Sequence, residues 1–136
     1  MLSRALPLAI AALPFLAGPA SAHHSYAMFD GNKVITLKGT VDEFRWTNPH
    51  VALFVKVEGA PEAVWAVELT SPGNLTRLGW ARSSVKPGDK VEVEINPLRD
   101  GQHGGGFRSL KLVATGQVLK GRLYDIGAEG GKTATP

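Results

Sequence analysis

The sequence carries four histidines, His23, His24, His50 and His103, and no cysteine. Any metal centre must therefore use imidazole, carboxylate or backbone groups; thiolate sites, disulfides, CxxC redox chemistry and cysteine nucleophiles are excluded. His23 and His24 follow a segment that reads as an export signal. Its only charge is Arg4, and Ala20-Ser21-Ala22 fits the small-x-small rule for peptidase cleavage. The apolar run from Leu6 to Ala17 is about twelve residues, shorter than the roughly 20 that a bilayer-spanning helix needs. Cleavage after Ala22 makes His23 the first mature residue. Its free amine and its ring can then chelate together, and a second imidazole completes a T-shaped set of three nitrogens, a histidine brace. Tetragonal nitrogen sites favour Cu(II), with zinc as the second choice.

His50 ends the stretch Trp46-Thr47-Asn48-Pro49-His50. Pro49 restricts the backbone just before a strand, so rigid structure sets the direction of the imidazole. His50 is out of phase with Val51, Leu53 and Val55 and so faces outward. A turn near residues 59–61 pairs positions whose numbers sum to about 120, which sets Glu68 opposite Ala52 on the same outward face. Glu68 is thus expected to orient His50 or to bind metal itself. His103 lies in the glycine-rich stretch from Arg99 to Gly106 and is a further metal candidate, though an exposed loop histidine is its plainer reading. The metal candidates are then His23, His24, His50, Glu68 and His103.

These residues need elements to position them. The chain has 136 residues, 43% of them hydrophobic, enough for one ordinary domain. Val34 to Trp46 reads as a long first strand, bent at Gly39, with a slip of phase before Phe44. Val51 to Val57 and Ala63 to Leu69 alternate as a second and a third strand. Ser71-Pro72 starts a short helix that carries Leu75 and Leu78 on one face and stops at Gly79. Val91, Val93 and Ile95 mark a fourth strand, and Phe107 to Ala114 a fifth. Three strands, a helix and two strands is the element order of an OB-fold. The expected fold is all-β with one short helix, an OB-like five-stranded barrel over residues 23–120, after a signal at 1–22 and before a flexible tail at 121–136. One difficulty stands: His23 precedes the first strand while His50 follows its far end. The Ser25–Asn32 segment would have to double back, which about ten extended residues can do over roughly 33 Å.

Several stretches resemble a domain-of-unknown-function family of small exported bacterial proteins. They are His23-His24-Ser25-Tyr26, Gly39-Thr40-Val41, Trp46-Thr47-Asn48-Pro49-His50, Trp65-Ala66-Val67-Glu68, Ser71-Pro72-Gly73-Asn74-Leu75, Gly79-Trp80, Pro87-Gly88-Asp89 and Arg99-Asp100-Gly101. The resemblance runs over residues 23–119 and implies the fold and the exported location, with no activity attached. His103 lies outside its motifs.

Other chemistries have little support. The formal net charge of +3 is too small to imply nucleic acid, and the basic residues are scattered. Gly104-Gly105-Gly106 lacks the lysine and helix of a phosphate loop, and Ser83-Ser84 sits in no nucleophile elbow. The reading is a periplasmic protein that binds a transition metal, copper before zinc, through His23, His24 and His50. A periplasmic protein partner is compatible with it, and neither nucleic acid nor, after cleavage, a membrane is expected. The alternative is a metal-free accessory module that uses the outer face of the second and third strands for a partner or small ligand. Oxidative catalysis at a brace copper is a third option, for which no residue specifies a substrate.

Overall fold

The computed structural model describes residues 26–59 and 62–121. The signal segment, His23, His24 and residues 122–136 lie outside the described residues. The elements run β1 (Ile35–Arg45), β2 (Ala52–Val57), β3 (Ala63–Glu68), α1 (Pro72–Arg77), β4 (Lys90–Pro97), β5 (Gly104–Leu112) and β6 (Val118–Lys120). The sheet order is β3-β2-β1-β4-β5-β6, and β3 also pairs with β5. That last pairing is parallel, with Ala66, Val67 and Glu68 against Gly104, Gly105 and Gly106. It closes β1-β2-β3-β5-β4 into a five-stranded mixed barrel of OB-like topology, as the element order indicates.

Alternation along the strands builds the core. Leu53, Val55, Val93, Ile95 and Leu110 are completely buried, while Ile35, Val57 and Leu112 pack against them partly exposed. β1 serves both halves of the barrel: Gly39 faces Val57 of β2 and Val91 of β4. A Cβ on Gly39 would stand 2.1 Å from the Lys56 carbonyl oxygen, so only glycine lets the strands approach this closely. The slip of phase in β1 falls at Asp42, beyond Gly39. Val41 pairs with Val55 and Glu43 with Phe54, which leaves Asp42 as the extra residue of a bulge.

α1 begins as its sequence indicates. The Ser71 hydroxyl accepts the Asn74 amide at 3.3 Å, and Pro72 occupies the first turn. Leu75 plugs the barrel, but Leu78 is 51% exposed instead of sharing that face. The reason is that α1 ends at Arg77 and Leu78 is its C-cap, where helical periodicity no longer applies. Beyond the helix, Trp80 is buried edge-on against Phe107, with ring centroids 5.5 Å apart. The Trp80 indole donates to the Lys120 carbonyl at 2.8 Å, which ties β6 down. Gly121 is buried beside Leu75 and Trp80, so the packed domain extends through the first position expected of the tail.

β5 starts at Gly104, three residues before the expected Phe107, and ends at Leu112. The glycine run is therefore strand rather than loop. A Cβ on Gly105 would lie 2.5 Å from the Asn96 carbonyl oxygen, so this part of β5 is squeezed between β3 and β4. Glycine lowers strand propensity locally, and here the parallel pairing with β3 overrides it.

Candidate metal centre

His50 precedes β2 by two residues. The Asn48–Pro49 peptide before it is cis. The Val51 amide donates to the Thr70 carbonyl at 3.1 Å and the Leu69 amide to the Val51 carbonyl at 2.8 Å, so the β2–β3 ladder continues past the named strands and fixes the backbone at His50. Ala52 faces Glu68, as the register from the turn requires. His50 and Glu68 are therefore diagonal neighbours across the ladder, within reach of long side chains. Their side chains meet through Nδ1 of His50 and Oε1 of Glu68.

This contact has a chemical consequence. An ionised carboxylate only accepts hydrogen bonds, so a neutral His50 donates from Nδ1 and keeps a lone pair on Nε2. A carboxylate behind an imidazole in this way fixes the tautomer and the orientation of the ring, as in the carboxylate–histidine–metal arrangement. The side chains are 34% and 30% exposed, so the pair sits at the surface of the barrel wall and not sealed inside it.

His103 immediately precedes β5, on the side of β3 away from β2. Its ring stacks on Trp65, with centroids 4.9 Å apart, and its carbonyl accepts the Ala66 amide at 3.1 Å. The residue is exposed, but its backbone is held to β3. Glu68 and His103 both line a cleft of about 390 Å³, whose wall also includes Met28, Phe29 and Leu98. Ala52, Ala66 and Gly104 line it too, and their small side chains leave the space open. Among the described residues, no three His, Asp or Glu side chains converge as a ready metal site. Two of the five metal candidates, His50 and Glu68, are thus in contact; His103 shares the cleft with Glu68; His23 and His24 lie outside the described residues.

Residues 26–33 form a strap that leads into β1. Phe29 bridges to Leu98, and the Asp30 amide donates to the Pro97 carbonyl at 2.8 Å. The strap thus extends the sheet beside the end of β4 and does not run back along β1. Barrel closure removes the need for it to double back. Glu68 faces Gly106 on β5, and Gly106 faces Asn96 on β4, so the end of β4 that holds the strap lies two strands from Glu68. The strap residues Met28 and Phe29 therefore reach the cleft that Glu68 lines. Sequence reading missed this, because residues 26–33 carry no periodic pattern; the Arg99-Asp100-Gly101 stretch was the one signal that marked the segment opposite.

A family model described as a family of unknown function, DUF6152, matches residues 12–107. No curated protein and no solved structure matches the chain. The match takes in the strap, β1 to β4, α1 and the glycine-rich start of β5, and so every described residue of the candidate site. The chain belongs to the DUF6152 family.

Proposed function

We propose that the protein is exported to the periplasm, loses residues 1–22, and binds a transition metal ion, copper in preference to zinc, at the mouth of the cleft. His23 supplies its new amine and its ring, His24 a second imidazole, and His50 its Nε2, with Glu68 behind His50. His103, which lines the same cleft, is a further donor. The observation that carries this reading is the His50–Glu68 contact, which leaves the Nε2 lone pair of a neutral His50 available on a rigid wall. The strap supports it: Met28 lines the cleft, and the four residues from Met28 back to His24 span at most about 14 Å. A nitrogen-rich set of this kind suits Cu(II). The test is His50→Ala in protein that begins at His23. The expected result is one fewer nitrogen in the Cu(II) EPR splitting and weaker binding, with an unchanged circular dichroism spectrum. An unfolded variant would make His50 structural, and unchanged binding would remove it from the site.

One observation favours a second reading. The cleft is of a size that small ligands fill, with an apolar wall of Met28, Phe29 and Leu98 and the single carboxylate of Glu68. A metal-free accessory module would use this outer face of β2 and β3 for a small molecule or a partner. It requires Cu(II) binding to be weak and indifferent to the identity of the N-terminal residue.

A further inference from the structure

The cleft beside Glu68 arises from a contrast in side-chain size. One wall is the outer face of β2, β3 and the start of β5, where Ala52, Ala66 and Gly104 stand. The register sets Ala52 opposite Glu68 and Ala66 opposite Gly104, so three positions with little or no side chain adjoin one carboxylate. The other wall carries the large apolar side chains of Met28, Phe29 and Leu98. The volume of about 390 Å³ lies toward the small end of the range that small organic ligands occupy, about 300–1,000 Å³.

The apolar wall is already fixed by the fold. Phe29 is buried and bridges to Leu98. The Arg99 amide donates to the Met28 carbonyl at 2.9 Å, and the buried Asn96 side chain donates to the Lys33 carbonyl at 2.7 Å. A wall set on folding spares a ligand much of the cost of ordering it. The Met28 side chain is the adaptable part: the residue is 47% exposed, and an unbranched thioether packs against apolar surfaces of different shape.

The charge in the cleft is one-sided. Neither lysine nor arginine lines it, and Glu68 is its one acid. Oε1 of Glu68 meets Nδ1 of His50, and among the described residues Oε2 accepts no hydrogen bond. A neutral His50 donates a hydrogen bond without cancelling the charge of the carboxylate. A carboxylate that is 30% exposed beside apolar side chains gains from a cation that brings its own N–H donors. Gln102, in the same lining, adds an amide oxygen as a neutral acceptor.

We infer that the cleft binds a small organic cation, a primary amine with a short apolar body. The ammonium meets Glu68, and the body lies against Met28, Phe29 and Leu98. The inference deepens the metal-free reading above, on which it rests, and needs no residue outside the described ones. An anion of the same size would face the charge of Glu68, and a neutral analogue would give up the ion pair.

The experiment titrates the full chain, without added metal, with 2-phenylethylamine, 2-phenylethanol and phenylacetate, followed by NMR at the methyl groups of Met28, Ala52, Ala66 and Leu98. The amine should shift these methyls and bind about 10-fold more tightly than the alcohol, the gain expected of a charge-assisted hydrogen bond at a partly exposed site. Phenylacetate should bind more weakly than either. Glu68→Gln should remove the preference for the amine and leave the affinity for the alcohol as it was. Ala66→Leu, at an exposed position, should fill the cleft and weaken both by about 10-fold or more, with an unchanged circular dichroism spectrum. Equal binding of amine and alcohol at these methyls would overturn the cation and leave a cleft for neutral ligands standing. Binding by neither, or shifts confined to other faces, would overturn the cation and the small-molecule reading together. A preference for the amine that survives Glu68→Gln would overturn Glu68 as its partner. Should Ala66→Leu fail to fold, the wild-type series and Glu68→Gln decide the question by themselves.

Discussion

His50 and Glu68, 18 residues apart, touch through Nδ1 and Oε1 because the β2–β3 register places Ala52 opposite Glu68 and carries His50 one diagonal further along the same face. A shift of one residue in that register would send Glu68 inward and leave the imidazole without its carboxylate. The chemistry assigned to the barrel wall thus depends on a turn some ten residues away.

Glu68→Gln tests the role of the carboxylate. The amide keeps the size of the side chain but can no longer offer two equivalent charged acceptors to Nδ1. Cu(II) affinity should fall by about 10- to 100-fold by calorimetric titration. Thermal stability should hardly move, since a pair exposed to this degree contributes at most about 1 kcal/mol. A large loss of stability with unchanged affinity would mean that the pair serves the fold.

Gly39→Ala tests barrel closure. The added methyl would meet the Lys56 carbonyl oxygen at 2.1 Å, and both neighbouring strands pair at this position, so neither can retreat freely. The expected cost is about 3 kcal/mol or more in denaturant unfolding, at the upper end of overpacking effects. A cost under 1 kcal/mol would show that β1 can shift away from β2.

The glycine run of β5 offers a paired test. In Gly105→Ala the methyl meets the Asn96 carbonyl oxygen at 2.5 Å, whereas in Gly104→Ala the nearest atom is the Leu98 Cδ1 at 2.8 Å, the end of a side chain that can rotate. Gly105→Ala should destabilise the barrel by about 2–3 kcal/mol and Gly104→Ala by about 1 kcal/mol. Gly104→Ala should also narrow the cleft, visible as chemical-shift changes at Ala66 and Leu98. Equal costs would mean that the parallel β3–β5 contact is looser than its geometry indicates.

These glycines also mark where the sequence is hardest to read. Three consecutive glycines beside a histidine look like a loop in any local reading, and a parallel pairing with a strand some 40 residues earlier leaves no local trace. Phe107, Trp80 and Phe29 joined the core for the same reason: each is buried by a distant partner and not by a period of its own. By contrast, the outward phase of His50, its proximity to Glu68, the cap at Ser71 and the OB-like order of elements all follow from alternation and short turns. The hold on the strap was invisible, because it runs through backbone groups such as the Asp30 amide and the Pro97 carbonyl, which leave no mark in the sequence.

A surface pair gives a test of pH dependence. Lys90 donates to Glu58 Oε1 at 2.7 Å, and this hydrogen bond, with the lysine charge, holds the Glu58 carboxyl below its ordinary value. A carboxyl depressed in the folded state adds stability above its unfolded pKa, and that stability is lost as pH falls through the folded value. Lys90→Ala should therefore raise the Glu58 titration toward the ordinary range, seen by side-chain NMR. It should also remove a small, salt-screened part of the stability present at neutral pH. A Glu58 titration that does not move would show that the pair does not persist in solution.

The most direct measurement is Cu(II) titration, with EPR, of protein beginning at His23 beside protein carrying one extra residue before it. The extra residue removes the chelating amine and changes nothing in the barrel. Tight binding with splitting from several nitrogens in the first protein, largely abolished in the second, is the expected result. Equal and weak binding by both would contradict a copper centre built on the processed terminus.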